Sequence, residues 1–245
     1  MGLCTGSDMK TDNLLRLDNF LSSQLNITRS DAKKLIKQNR IDIRGVAPVR
    51  PETKIDPSVS EVLFDGERID YKKHIYIAQN KPEGIVCSTD DSTRTVIDIL
   101  PEKLKRRGLF PAGRLDKDTT GFVLITDDGE FAHNILSPTR HIEKTYRVTL
   151  SRKVKDSEKA EIENGLILDG ERLDRARLSH ISSNAYELVI TQGKYHQIKR
   201  MFLHFDNPVL GLHRTKLGSL DLPSDIKPGQ SRELTMEELN KITQK

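Results

Sequence analysis

Hydrophobic and polar positions change their period along the chain. Leu14, Leu17, Leu21 and Leu25 recur at three- and four-residue steps, with Phe20 on the same side, which predicts one short amphipathic helix. A second helix is predicted at once. Thr28 can cap it, Asp31 completes a capping box, and Ala32, Leu35 and Ile36 face inward. Lys33, Lys34, Lys37 and Arg40 then crowd the outer face. From 39 to 70 the period shortens: Ile41-Asp42-Ile43 alternates, Gly45 and Pro48 punctuate, and Val62-Leu63-Phe64 runs into an Asp65-Gly66 turn. Two helices and then short strands make a compact module.

A domain boundary is expected near Tyr71-Lys72-Lys73-His74, separating domains at 13–71 and 74–245. Residues 1–12 read as a loose, polar extension. Beyond the boundary, strands are predicted at 75–79, 121–126, 144–150, 176–181 and 184–191. Helices are predicted at 94–100, 130–136, 156–164, 194–205 and 236–242. Gly165 is placed to end the helix before it, and Thr235 with Glu238 to start the last one. Strands and helices do not alternate strictly, so the predicted class is α+β rather than a doubly wound parallel sheet.

Composition narrows the function. The 245 residues carry 40 Lys and Arg against 36 Asp and Glu, a net charge of +4. Mean hydropathy is −0.55. No apolar run approaches the roughly 18 residues of a spanning helix, so no membrane role is expected. Cys4 and Cys87 form neither a disulfide framework nor a zinc motif, and a reducing cytoplasmic setting is the expectation. The basic excess is local. Between Thr28 and Lys54 eight cations (Arg29, Lys33, Lys34, Lys37, Arg40, Arg44, Arg50, Lys54) face three acids (Asp31, Asp42, Glu52). That surface is either a solvated helix face or a phosphate-contacting one.

Phosphate-loop, dinucleotide, zincin and nucleophile-elbow motifs are absent. The most unusual stretch is Gly113-Arg114-Leu115-Asp116-Lys117-Asp118-Thr119-Thr120-Gly121, ahead of the apolar run Phe122-Val123-Leu124-Ile125. A loop against a strand is a firm mount for a carboxylate, although loop aspartates commonly just cap turns. A calcium loop is disfavoured, because Thr120 and Asp127 occupy its fifth and twelfth positions and Pro111 and Gly113 break the incoming helix. A second stretch, Gly193-Lys194-Tyr195-His196-Gln197-Ile198-Lys199-Arg200-Met201-Phe202, predicts a helix opened by Gly193, with cations beside an apolar face. In Glu143-Lys144-Thr145-Tyr146-Arg147-Val148, alternation sends Lys144, Tyr146 and Val148 to one strand face, and a tyrosine flanked by cations suits a stacked base.

Together these motifs are distinctive. Asn80-Lys81-Pro82-x-Gly84, the Gly113–Gly121 stretch, Lys144-Thr145-Tyr146 and the Gly193–Phe202 stretch occur in that order. Over about 74–245 the chain resembles the RsuA-type ribosomal RNA pseudouridine synthases. Residues 14–70 resemble a small αL-type, ribosomal-protein-like RNA-binding domain. The resemblance implies a catalytic domain with a central, mostly antiparallel mixed sheet flanked by helices. It also implies isomerisation of a uridine in folded RNA to pseudouridine, without metal or organic cofactor.

By the same resemblance Asp116 is the essential carboxylate, acting at the sugar as nucleophile or as base. Tyr146 stacks on the extruded uracil and helps remove the proton from its carbon 5, and Lys199 pairs with Asp116, which makes these three the catalytic set. Ile198 supports the base pocket and Arg114 contacts RNA beside the displaced base. Asn80, Lys81, His196 and Arg200 join the substrate-binding set. Arg29, Lys33, Lys34, Lys37, Arg40 and Arg44 are the expected RNA-binding cations of the first domain. Cys87-Ser88-Thr89-Asp90-Asp91, Ser137-Pro138-x-Arg140-His141 and Leu212-His213-Arg214 point to members acting on small-subunit (16S) rRNA. The expected partner is that rRNA or a small-subunit assembly intermediate, and the expected state a monomer. The alternatives are a large-subunit (23S) target and a mainly non-catalytic assembly factor.

Overall fold

The computed structural model describes residues 14–89 and 92–243. The extension expected at 1–12, and Asp90 and Asp91, lie outside the described residues. The chain divides into two compact units between Lys73 and His74. Among the described residues no helix is long and apolar enough to cross a membrane.

The first unit runs β1 (Leu15–Arg16), α1 (Leu17–Gln24), α2 (Arg29–Lys37), β2 (Ile41–Ile43), β3 (Lys54–Ile55), β4 (Val62–Phe64) and β5 (Glu67–Arg68). The first helix begins three residues later than the leucine spacing predicts. Leu15 and Arg16 pair with Ile55 and Lys54, which holds them extended, and Leu14 is left exposed. Leu17, Phe20 and Leu21 then form the core with Ala32, Ile36, Ile41, Ile43, Ile55 and Val62. Thr28 caps α2: its Oγ1 accepts from the Asp31 N–H at 3.0 Å, and its hydroxyl donates to the Asp31 carboxylate at 2.6 Å. Strands β2, β4 and β5 form an antiparallel sheet, and both turn residues between the last two, Asp65 and Gly66, have positive φ.

The second unit is one mixed nine-stranded sheet with helices on both faces and a separate two-stranded hairpin. Its elements are β6 (Tyr76–Lys81), β7 (Phe110–Pro111), β8 (Thr120–Thr126), α3 (Gly129–Leu136), β9 (Lys144–Leu150), α4 (Asp156–Glu163), β10 (Ile167–Leu168), β11 (Glu171–Arg172), β12 (Arg177–Ser182), β13 (Ala185–Ile190), α5 (Gln197–Leu203), β14 (Val209–Leu217), β15 (Leu220–Asp221), β16 (Ser231–Glu233) and α6 (Met236–Thr243). The main order is β12-β13-β9-β14-β8-β6-β16. Only the β8–β14 neighbours run parallel. Strand β8 is buried on both faces. Val123 and Ile125 join the core beneath α4 and α5, with Ile162, Met201 and Phe202. Phe122 and Leu124 join the core beneath α3 and α6, with Ile135 and Ile242. The class predicted from the sequence, α+β with a mostly antiparallel mixed sheet, is the class observed.

Two predicted features differ, and one strand is unforeseen. Residues 94–100 form no helix. The Thr95 N–H and hydroxyl both donate to the Asp98 carboxylate at 2.8 Å, and Thr95 bridges Val86. Val96 and Leu100 are buried at helical spacing, yet Thr93, Thr95, Val96, Ile97 and Ile99 are β-branched and resist that conformation. The helix expected over 194–205 starts only at Gln197, because His196 turns left-handed at φ 47°. Strand β14 was not predicted: His213, Arg214 and Lys216 broke its apolar pattern.

Candidate active site

The Gly113–Thr119 loop joins β7 to β8, and its mount is built from below. Lys81, fully buried at the end of β6, donates from Nζ to the carbonyls of Thr119 (2.7 Å), Lys117 (3.1 Å) and Pro82 (3.1 Å). The loop closes on itself through Thr119 N–H to the Asp116 carbonyl at 3.1 Å. Burial pulls the Lys81 ammonium below its ordinary pKa. Gly121 lets the loop enter the sheet. It takes φ 102° beside Arg214 of the parallel strand, and a Cβ there would stand 2.3 Å from the Arg214 carbonyl oxygen. Lys81 was expected on the substrate and instead holds the loop. Asn80 is corrected likewise: its Nδ2 donates to the Ile226 carbonyl at 3.1 Å inside the protein.

On this loop Asp116 meets α5. Lys199 Nζ lies 2.9 Å from Asp116 Oδ2 and 2.6 Å from Asp118 Oδ1. His196 Nε2 lies 3.5 Å from the other Asp116 oxygen. The two aspartates that suggested a calcium loop therefore share an ammonium. Burial pulls the Lys199 pKa down, but hydrogen bonds to Asp118 and Asp116 outweigh it and leave it raised. The same hydrogen bond holds the Asp118 carboxyl below the usual range. Asp116 keeps 30% of its side-chain surface open, so a substrate can reach it.

An open cleft lies beside this pair. Tyr146 of β9 and Ile198 of α5, both buried, line it with Ile190 and Leu212. Arg114, exposed, stands at the edge with Lys194 and His196. Arg200 does not join them. It pairs with Asp169 of the β10–β11 hairpin and donates to the Tyr195 carbonyl at 3.2 Å. Of the expected residues, Asp116, Tyr146, Lys199, Arg114, Ile198 and His196 come together, while Asn80, Lys81 and Arg200 are engaged elsewhere. A carboxylate, an adjacent ammonium, an aromatic ring and an apolar lining suit a flat ligand with a polar edge.

The sequence did not point to Leu212 as cleft lining, or to Lys144 as a brace. Lys144 is buried, and its Nζ donates to the carbonyls of Thr191 (2.7 Å) and Ile142 (3.0 Å). Burial, with the nearby Arg214 charge, pushes its pKa down to about 8. It anchors the chain just before the Gly193–His196 segment. In the first unit, Arg40 pairs with Asp65 and lies over the Phe64 ring, and Arg44 pairs with Glu61 at 3.0 Å. Arg29 donates to Asn19 and Lys34 to Asp31. Lys33 and Lys37 are exposed, with no ion-pair partner among the described residues.

The family model for RNA pseudouridylate synthase matches residues 75–204. The chain is 40% identical to ribosomal small subunit pseudouridine synthase A of Escherichia coli, over 93% of this chain and 100% of that protein. It is 37% identical to YtzG of Bacillus subtilis, described as an uncharacterized RNA pseudouridine synthase, over 94% of this chain and 99% of that one. A crystal structure of a pseudouridylate synthase superposes with a TM-score of 0.66 at 39% identity, covering 93% of this chain and 99% of that one. The chain belongs to the RNA pseudouridylate synthase family.

Proposed function

We propose that this protein isomerises one uridine of small-subunit (16S) ribosomal RNA to pseudouridine. The observation that carries the reading is the Asp116–Lys199 pair, 2.9 Å apart, at a cleft lined by Tyr146 and Ile198. The target follows the likeness to the Escherichia coli small-subunit enzyme, which extends over nearly the whole chain. The substrate is the free rRNA or a small-subunit assembly intermediate.

The target uridine must leave its stack to reach Asp116. The bond from base nitrogen 1 to the anomeric carbon breaks, the uracil turns, and a bond forms from base carbon 5. The proton on that carbon leaves, and one is gained at nitrogen 1. Asp116 acts at the sugar, as nucleophile on the anomeric carbon or as base on its neighbour. Lys199 keeps the carboxylate oriented, and Tyr146 and Ile198 hold the uracil while it turns. Arg114 contacts RNA at the edge, and the cations of α2 supply phosphate contacts.

The test is isomerisation by the purified protein of naked 16S rRNA, 30S assembly intermediates and 23S rRNA, read by carbodiimide mapping. One modified uridine in 16S rRNA is expected. Modification confined to 23S rRNA would overturn the target. Absence of modification in every substrate would favour a binding role in assembly.

A further inference from the structure

We infer that the ring of Tyr195 is a stacking platform for an RNA base next to the uridine held against Asp116. The inference rests on the pseudouridine synthase reading and adds to it a subsite for the flanking nucleotide. Tyr195 is 77% exposed, so its ring supports no core. The ring is nevertheless fixed. It lies on the His196 imidazole with centroids 3.9 Å apart and planes 19° from parallel. His196 takes the left-handed conformation that side chains rarely adopt, directly before α5. The Tyr195 carbonyl accepts from Arg200, and Arg200 is held in turn by Asp169. A flexible surface tyrosine has no use for this bracing.

Position gives the ring its role. His196 Nε2 is 3.5 Å from Asp116, so the stacked pair runs from the reacting carboxylate out to solvent. The groove along it is lined by Arg114, Lys117 and Lys194 as well as Tyr195. Cations beside an open aromatic face are the means by which proteins hold unpaired RNA, because every base has a face to stack. Extruding one uridine unstacks its neighbours, and a fixed ring can receive one of them.

The experiment compares Tyr195→Ala, Tyr195→Leu and Tyr195→Phe with wild type on a 16S rRNA fragment containing the modified uridine. Alanine and leucine should raise KM roughly 5- to 150-fold. Phenylalanine keeps the ring and should restore KM. Thermal midpoints should not move, since the ring is exposed. Wild-type KM in the leucine variant would overturn the platform, because a base needs a π-face there and leucine has none. A fall in kcat alone would also overturn it. If wild type itself fails to isomerise rRNA, the pseudouridine synthase reading fails, and the platform with it.

Discussion

Lys199 holds two loop aspartates at once, Asp116 at 2.9 Å and Asp118 at 2.6 Å, from the first turn of a helix, 83 and 81 residues on in sequence. The contacts are unequal in consequence. Asp116 lines the cleft beside Tyr146, whereas Asp118 leaves 61% of its side chain in solvent.

Replacing Lys199 by Met should slow single-turnover isomerisation by roughly 30-fold or more, because an ion pair that loses one member leaves the other uncompensated. Lys199→Arg keeps the charge and should retain more of the rate. Asp118→Asn should cost less than either. Equal rates in wild type and Lys199→Met would remove Lys199 from the mechanism.

Lys144 predicts a pH dependence. Its folded pKa of about 8 lies below the ordinary 10.5, so between these values the unfolded chain binds a proton that the folded chain does not. Its contribution to stability therefore rises with pH across that window, by up to roughly 3 kcal/mol. Urea unfolding of wild type and Lys144→Met at pH 7, 9 and 10 should show the difference shifting toward wild type as pH rises. A constant difference would mean that Lys144 is not buried as an ammonium.

In the first unit, Lys33 and Lys37 of α2 have no ion-pair partner among the described residues, while Arg44 is held by Glu61. Neutralising Lys33, Lys34 and Lys37 should weaken rRNA binding and reduce the salt slope by about 0.7–0.9 per lost phosphate contact. Arg44→Gln should change it less. A salt slope unchanged in the triple variant would make this face a solvated surface.

The motifs were legible because they are local, and their partners were harder to read because they are tertiary. Asp116, Tyr146 and Lys199 stood out within short distinctive stretches, and the structure brings them to one cleft. Lys81 belongs to an equally distinctive stretch, yet its use depends on which carbonyls face it: Pro82 beside it and two, Lys117 and Thr119, from the loop. Strand β14 hid for a related reason. Its polar residues reach the neighbouring strand, Arg214 Nε on the Phe122 carbonyl at 2.7 Å and His213 beside the Thr120 hydroxyl at 2.8 Å. Periodicity reads those positions as solvent-facing. The α1 boundary moved because β3, almost forty residues on, captures Leu15 and Arg16.

The central claim is that Asp116 performs chemistry on uridine, and Asp116→Asn tests it most directly. The amide keeps the size of the carboxylate, and Lys199 retains Asp118 as a partner, so the fold should persist with an unchanged thermal midpoint. Carbodiimide mapping of 16S rRNA incubated with the purified variant should show no pseudouridine at the site that wild type modifies. Isomerisation by Asp116→Asn at the wild-type rate would contradict the account.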